Sequence, residues 1–140
     1  TNSTTVADAI ATLDPTNQIS VVLTGGVRTP SAALVGPVAD RAIATMHVDQ
    51  LFLGVHGMDE RIGFTTPNLA EAATNRALIG CAREVIVVAD SSKWGVVGLA
   101  DIAPLTAAHV VVTDDRLPRS AARILSERVP QLIETRDEAA

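Results

Sequence analysis

Aromatic side chains are nearly missing from this 140-residue chain: Phe52, Phe64 and Trp94 are all there is, and tyrosine is absent. A core made from such a sequence has to be aliphatic, and the 47% apolar share is carried by Val, Leu, Ile and Ala. There is one cysteine, Cys81, which excludes an internal disulfide and, set in an apolar helical pattern, reads as a buried thiol rather than a nucleophile. Basic clusters are missing too. With a net charge of −5, the chain lacks the cationic stripe that neutralises a phosphate backbone, so any DNA contact needs another segment. No apolar run reaches spanning length, and the N-terminus has neither a basic region nor an apolar signal core, so a soluble, cytoplasmic chain with no membrane partner is expected.

What is present is an alternation of β-branched runs with Ala-rich segments. The length suits one domain in which roughly two-thirds of the unfolded surface is buried. The alternation predicts an α/β fold, a mostly parallel sheet with helices packed on it through right-handed crossovers. Helices are expected over Val6 to Leu13, from Pro37 to Met46 with Val38, Ala42, Ile43 and Met46 inward, from Leu69 to about Ala82 behind an Asn68 cap, and after Pro118. Strands are expected at Ile19–Leu23, Val48–Val55, Val85–Ala89, Gly98–Ile102, His109–Thr113 and Gln131–Glu134. Val85–Ala89, apolar at every position, has the pattern of a central strand covered on both faces.

Chemistry concentrates at three places. After the strand beginning at Val48 comes a Gly-rich loop in which Gly54, Gly57 and Gly63 surround Met58, Asp59, Glu60 and Arg61. Glycines admit a ligand close to the backbone and the charged trio can orient its polar groups, although an ordinary turn explains the same glycines. Thr24-Gly25-Gly26, followed by Arg28, offers consecutive amides for an anion, or simply a strand-end turn. Beyond Val85–Ala89 stand Asp90-Ser91-Ser92-Lys93-Trp94. Ligands of open α/β sheets bind off the carboxyl ends of strands, so Asp90, Ser92 and Lys93 are candidates, the plain alternative being a surface lysine loosely paired with Asp90. Glu71 sits three residues after the Asn68 cap, where it serves the cap or the site.

Taken in order, Thr24-Gly25-Gly26, Gly36, the FLGVHGMDERIGFTTPN segment, Glu71, Asp90-Ser91-Ser92-Lys93 and VVVTDD resemble the C-terminal effector domain of DeoR-family transcriptional regulators. The resemblance implies a Rossmann-like, three-layer fold related to ribose-5-phosphate isomerase, glucosamine-6-phosphate deaminase and the CoA transferases. It implies a bacterial repressor-type regulator that senses a phosphorylated sugar, assembles as a homo-oligomer, uses no cofactor or metal, and touches DNA only through an N-terminal helix-turn-helix outside this sequence. The ligand contacts it points to are Gly25, Gly26, Arg28, Gly57, Met58, Asp59, Arg61, Glu71, Asp90, Ser92 and Lys93. Thr1-Asn2-Ser3 is similar to the family's segment after the second sensor strand, so a partial sensor over residues 1–135 lacking its first strand is expected, with a disordered tail over 136–140. Open sheet edges, and hence self-association, follow from that expectation.

The Gly-rich loop is also similar to the catalytic loop of glucosamine-6-phosphate deaminases, approximately G-x-G-x-D-G-H-I-A-F. Asp59, Ile62 and Phe64 keep the pattern, while Arg61 stands at the histidine. Ring opening needs a group that gives and takes a proton near neutral pH; arginine stays charged and can only hold an oxygen. No catalytic residue is therefore expected. An isomerase-like enzyme using Asp59 and Glu71 is the alternative reading, and a ligand-free structural remnant a third.

Overall fold

In the computed structural model, residues 1–136 are described; the tail expected at 136–140 lies, from residue 137 on, outside the described residues. The chain divides into two units, Thr1–Met46 and His47–Ala140, and each is taken by itself.

The first unit begins with the helix that Val6, Ile10 and Leu13 predict. Helix α1 (Thr4–Leu13) starts at Ser3, whose Oγ accepts from the amide of Val6 at 3.2 Å. None of its residues is buried. The strand expected at Ile19–Leu23 does not form: the segment belongs to no ladder, and it is tied by Ile19 N, donating to Asp14 Oδ2 at 2.6 Å, by Val22 O, accepting from the Thr1 ammonium at 2.8 Å, and by the neighbouring Thr24 N, donating to Thr1 O at 3.2 Å. Apolar composition makes a strand only where a partner strand supplies hydrogen bonds. Strands β1 (Val27–Arg28) and β2 (Leu34–Val35), not among the strands expected, make a short antiparallel pair. Pro37 opens α2 (Pro37–Ile43), which buries Ala39 and Ile43; Val38, expected inward, faces solvent.

The second unit is built on a parallel sheet in the order β3-β6-β8-β9, comprising β3 (Val48–Gly54), β6 (Ala82–Val88), β8 (Val110–Asp114) and β9 (Gln131–Thr135). This parallel sheet with flanking helices is the α/β class that the alternation predicts. Strand β6 lies between β3 and β8 and buries Val85, Ile86 and Val87, as the all-apolar run predicts, while Val88, expected to be covered, is exposed. Strand β3 departs from the buried strand expected: it is an edge, only Leu53 is buried, and Phe52 is 68% exposed.

The Gly-rich stretch is no open loop either. Strands β4 (Gly57–Asp59) and β5 (Gly63–Thr66) pair as an antiparallel hairpin, and β7 (Ala100–Ala103) adds to β5. Phe64 and Met58 from this hairpin join Leu53, Val87, Val111 and Leu125 in the core. Helix α3 (Leu69–Cys81) is capped by Asn68, whose Oδ1 accepts from the amides of Ala70 and Glu71 at 2.9 and 3.0 Å. Helix α4 (Arg119–Arg128) follows Pro118 and buries Ala121 and Leu125. Among the described residues no helix is long and apolar enough to cross a membrane.

Candidate functional site

Where β6 ends, the backbone has to leave the sheet, and Asp90 shapes the exit. Its carboxylate accepts from the amide of Ser92 at 2.9 Å and from the Ser92 hydroxyl, folding Ser91–Lys93 into a single 3-10 turn. These bonds, with the nearby Lys93 ammonium, hold the Asp90 carboxyl below the usual carboxylate range. The turn is fastened at both ends. Ser91 N donates to Asp114 Oδ2 at 2.7 Å, at the end of β8, and Gly95 N donates to Met58 O at 2.7 Å, on β4. Trp94, half-buried, forms an isolated bridge with Met58 and packs against the core.

The hairpin therefore lies directly against the turn. Gly57 is buried because a Cβ there would stand 2.1 Å from Val96 O, and Gly63, at φ +93°, would bring a Cβ to 2.3 Å from Ala103 O. Both glycines are required by packing, whatever else they do. Met58 is fully buried. Between the strands, Asp59 Oδ1 accepts from the amides of Arg61 and Ile62 at 2.8 and 3.0 Å and so closes the hairpin turn. Arg61 itself is exposed, and among the described residues its guanidinium has no partner. At the far end of β5, Thr66 Oγ1 donates to Glu71 Oε2 at 3.1 Å, which joins the strand to the first turn of α3.

The structure thus brings Met58, Asp59, Arg61, Asp90, Ser92 and Lys93 onto the hairpin and the turn it abuts, with Glu71 at the hairpin's exit. Gly25, Gly26 and Arg28 belong to the first unit. There Gly25 and Gly26 take φ +71° and +113°, a Cβ on Gly26 would meet Val35 O at 2.5 Å, and Arg28 Nε donates to Thr4 Oγ1 at 3.4 Å. Two residues of the site escape a reading by motif. Thr65, fully buried, accepts from Gly98 N at 2.8 Å and so pins the segment after the turn to β5. Asp114, which holds Ser91, is visible in the sequence only as the first of two acids closing a β-branched run. Its bonds from the Ser91 amide and from Arg116 hold its carboxyl well below the ordinary range. Among the described residues no group of three or more His, Cys, Asp or Glu side chains is placed to hold a metal ion.

Arg61 thus stands on the turn of the hairpin and Ser92 and Lys93 on the turn after β6, and the Gly95 N–Met58 O bond ties the second turn to β4. The family model of the DeoR C-terminal sensor domain matches residues 1–115. The chain belongs to this family. Among the relatives of this DeoR-type domain, an uncharacterized HTH-type transcriptional regulator YulB of Bacillus subtilis is 33% identical over 79% of the chain and 43% of its own length. The HTH-type transcriptional regulator GlpR of Haloferax volcanii is 39% identical over 69% of the chain and 38% of its own length. The glycerol-3-phosphate regulon repressor of Escherichia coli is 28% identical over 94% of the chain and 52% of its own length. The DeoR-type domain thus spans about half the length, or less, of these curated relatives, which are named as transcriptional regulators and repressors.

Proposed function

We propose that this DeoR-type sensor domain binds a phosphorylated sugar or a related metabolite and does not transform it. The observation that carries the reading is the docking of the β4–β5 hairpin on the Asp90–Gly95 turn, at the carboxyl end of β6, with Arg61 and Lys93 presented from the two loops. An anion bound there receives charge-assisted hydrogen bonds, each contributing roughly 1.5–3 kcal/mol. On binding, the Ser92 hydroxyl turns from Asp90 to the phosphate as a neutral donor, which frees Asp90, with Glu71, to accept from sugar hydroxyls. In this reading Asp59 acts through the turn it closes, and Gly57 and Met58 form the packed floor beneath.

Proton chemistry has poor support at this site. Asp59 Oδ1 is engaged in closing the hairpin turn and Glu71 Oε2 in joining β5 to α3, and the position that a deaminase-type loop gives to histidine holds Arg61, which stays protonated and cannot shuttle a proton. Occupancy then acts on transcription by favouring one arrangement of sensor domains, and of the DNA-binding modules attached to them, over another. The protein works in the cytoplasm, as a homo-oligomer.

The test is calorimetric titration with hexose 6-phosphates, pentose 5-phosphates and glycerol phosphate, with product analysis on the same mixtures. Binding without turnover is expected. Arg61→Ala and Lys93→Ala should each weaken it about tenfold or more, with little change in melting temperature. Steady conversion of any of these esters by the wild-type protein, abolished in Asp59→Asn, would overturn the assignment in favour of an isomerase-like enzyme.

A further inference from the structure

The turn bearing Ser92 and Lys93 has no ladder of its own, so something else must decide where it stands on the sheet. Asp90 gives it its internal shape, but Asp90 is exposed and belongs to the turn itself. At the Gly95 end the anchor is main chain, Gly95 N to Met58 O. At the Ser91 end it is a side chain. Asp114 reaches from the end of β8 and places Oδ2 2.7 Å from Ser91 N, across 23 residues of sequence. Its other oxygen accepts from both the amide and Nε of Arg116 at 3.0 Å. The Asp114 side chain is only 16% exposed, against 75% for Arg116, so the bond to Ser91 is partly shielded from water, where a charge-assisted bond is strongest.

We infer that Asp114 is a positioning residue of the effector site: it clamps the Ser91–Lys93 turn to the end of β8, and thereby sets where the Ser92 hydroxyl and the Lys93 ammonium meet an anionic ligand. The inference rests on the effector reading proposed above. The partners of Asp114 also answer an electrostatic objection. A second carboxylate beside Asp90 repels an incoming phosphate, but Arg116 lies against it and offsets its charge, so Asp114 can grip the turn without closing the site to anions. Without the clamp, Ser91 N loses its acceptor, and at that end the chain is held to β8 only upstream of the turn, by the Ala89 N–Val112 O bond at 3.0 Å. A cation that wanders by an ångström then gives up much of the benefit of preorganisation.

Two measurements on Asp114→Ala and Asp114→Asn decide the matter, with the fold monitored by circular dichroism. Amide exchange at Ser91, followed by NMR, reports the clamp and needs no ligand. Titration with the sugar phosphate and glycerol phosphate panel reports the site. In Asp114→Ala the Ser91 amide is expected to exchange at least about tenfold faster, and affinity to fall by about tenfold. Asp114→Asn keeps an acceptor oxygen and should recover part of both effects, a rescue that general loss of stability does not produce. Unchanged exchange at Ser91 in a folded Asp114→Ala protein overturns the clamp. Faster exchange with undiminished affinity overturns its role in the site. If Asp114→Ala does not fold, the same two readings on Asp114→Asn decide, with wild-type values for both counting against the inference. If the wild-type protein binds none of the esters, the effector reading fails and the role in the site with it, while the exchange result still judges the clamp.

Discussion

At Gly57, a Cβ would stand 2.1 Å from Val96 O and 2.8 Å from Thr65 Oγ1. Neither atom can retreat cheaply, because one is main chain and the other already accepts from Gly98 N. Gly57→Ala is therefore expected to lower the unfolding free energy by about 1–3 kcal/mol, read from a denaturant titration, whether or not a ligand is present. In the sequence this residue looks like a place where a ligand approaches the backbone; in the structure the close approach is made by the protein's own chain. A motif marks a position where a side chain is not tolerated but cannot say what occupies the space. The cations are the reverse case. Arg61 and Lys93 are recognisable because their chemistry is unusual beside glycines and at a strand end, and packing leaves Arg61 exposed and Lys93 half-buried. Asp114 falls between the two, since an acid after a strand is ordinary until the Ser91 amide is seen in front of it.

Among the elements, β6 and β3 show what composition can and cannot report. Val85–Ala89 and Val48–Val55 both read as apolar strands, and the structure has strands there, Ala82–Val88 and Val48–Gly54. Only β6 has neighbours on both sides. Apolarity is written in the sequence, whereas the number of neighbours is decided by pairings far along the chain, which is also why Ile19–Leu23 stays without a ladder and why the Gly-rich stretch turns out to be a hairpin. Capped helices were the easiest to place, because Ser3 and Asn68 act on amides two or three residues away. The Asp90–Gly95 turn adds a pH dependence. Asp90 and Asp114 have depressed carboxyl pKa values in the folded state, so the unfolded chain binds more protons, and the stability they supply is present above the ordinary carboxylate range and lost as the pH falls below about 4. Melting temperature should decline as the pH is lowered from 5 to 3, and less steeply in Asp114→Asn. An equal decline in both proteins would place the acid sensitivity elsewhere.

For the molecule as a whole, the division into two units has an energetic side. The core cluster of Leu53, Met58, Phe64, Val87, Val111 and Leu125 lies entirely in the second unit. The first unit buries Ala32, Val35, Ala39 and Ile43 with Thr24 and Thr29, and nothing from α1. So small an apolar core does not offset the chain entropy of 46 residues. A fragment of residues 47–136 is expected to melt cooperatively on its own, while a fragment of residues 1–46 should show no cooperative transition by circular dichroism. A sharp transition in the short fragment alone would reverse that assignment of stability. The α/β class and the parallel sheet were legible from the alternation of segments; the split into units was not, since it depends on how much each part buries.

Trp94 makes the molecule its own optical instrument. With no tyrosine and no second indole in the chain, ultraviolet-excited emission reports one place, the residue after Lys93 that is bridged to Met58. Any anion that settles on the turn, or any substitution that frees it, alters the surroundings of that single fluorophore, so the sensor can be followed in solution without a dye.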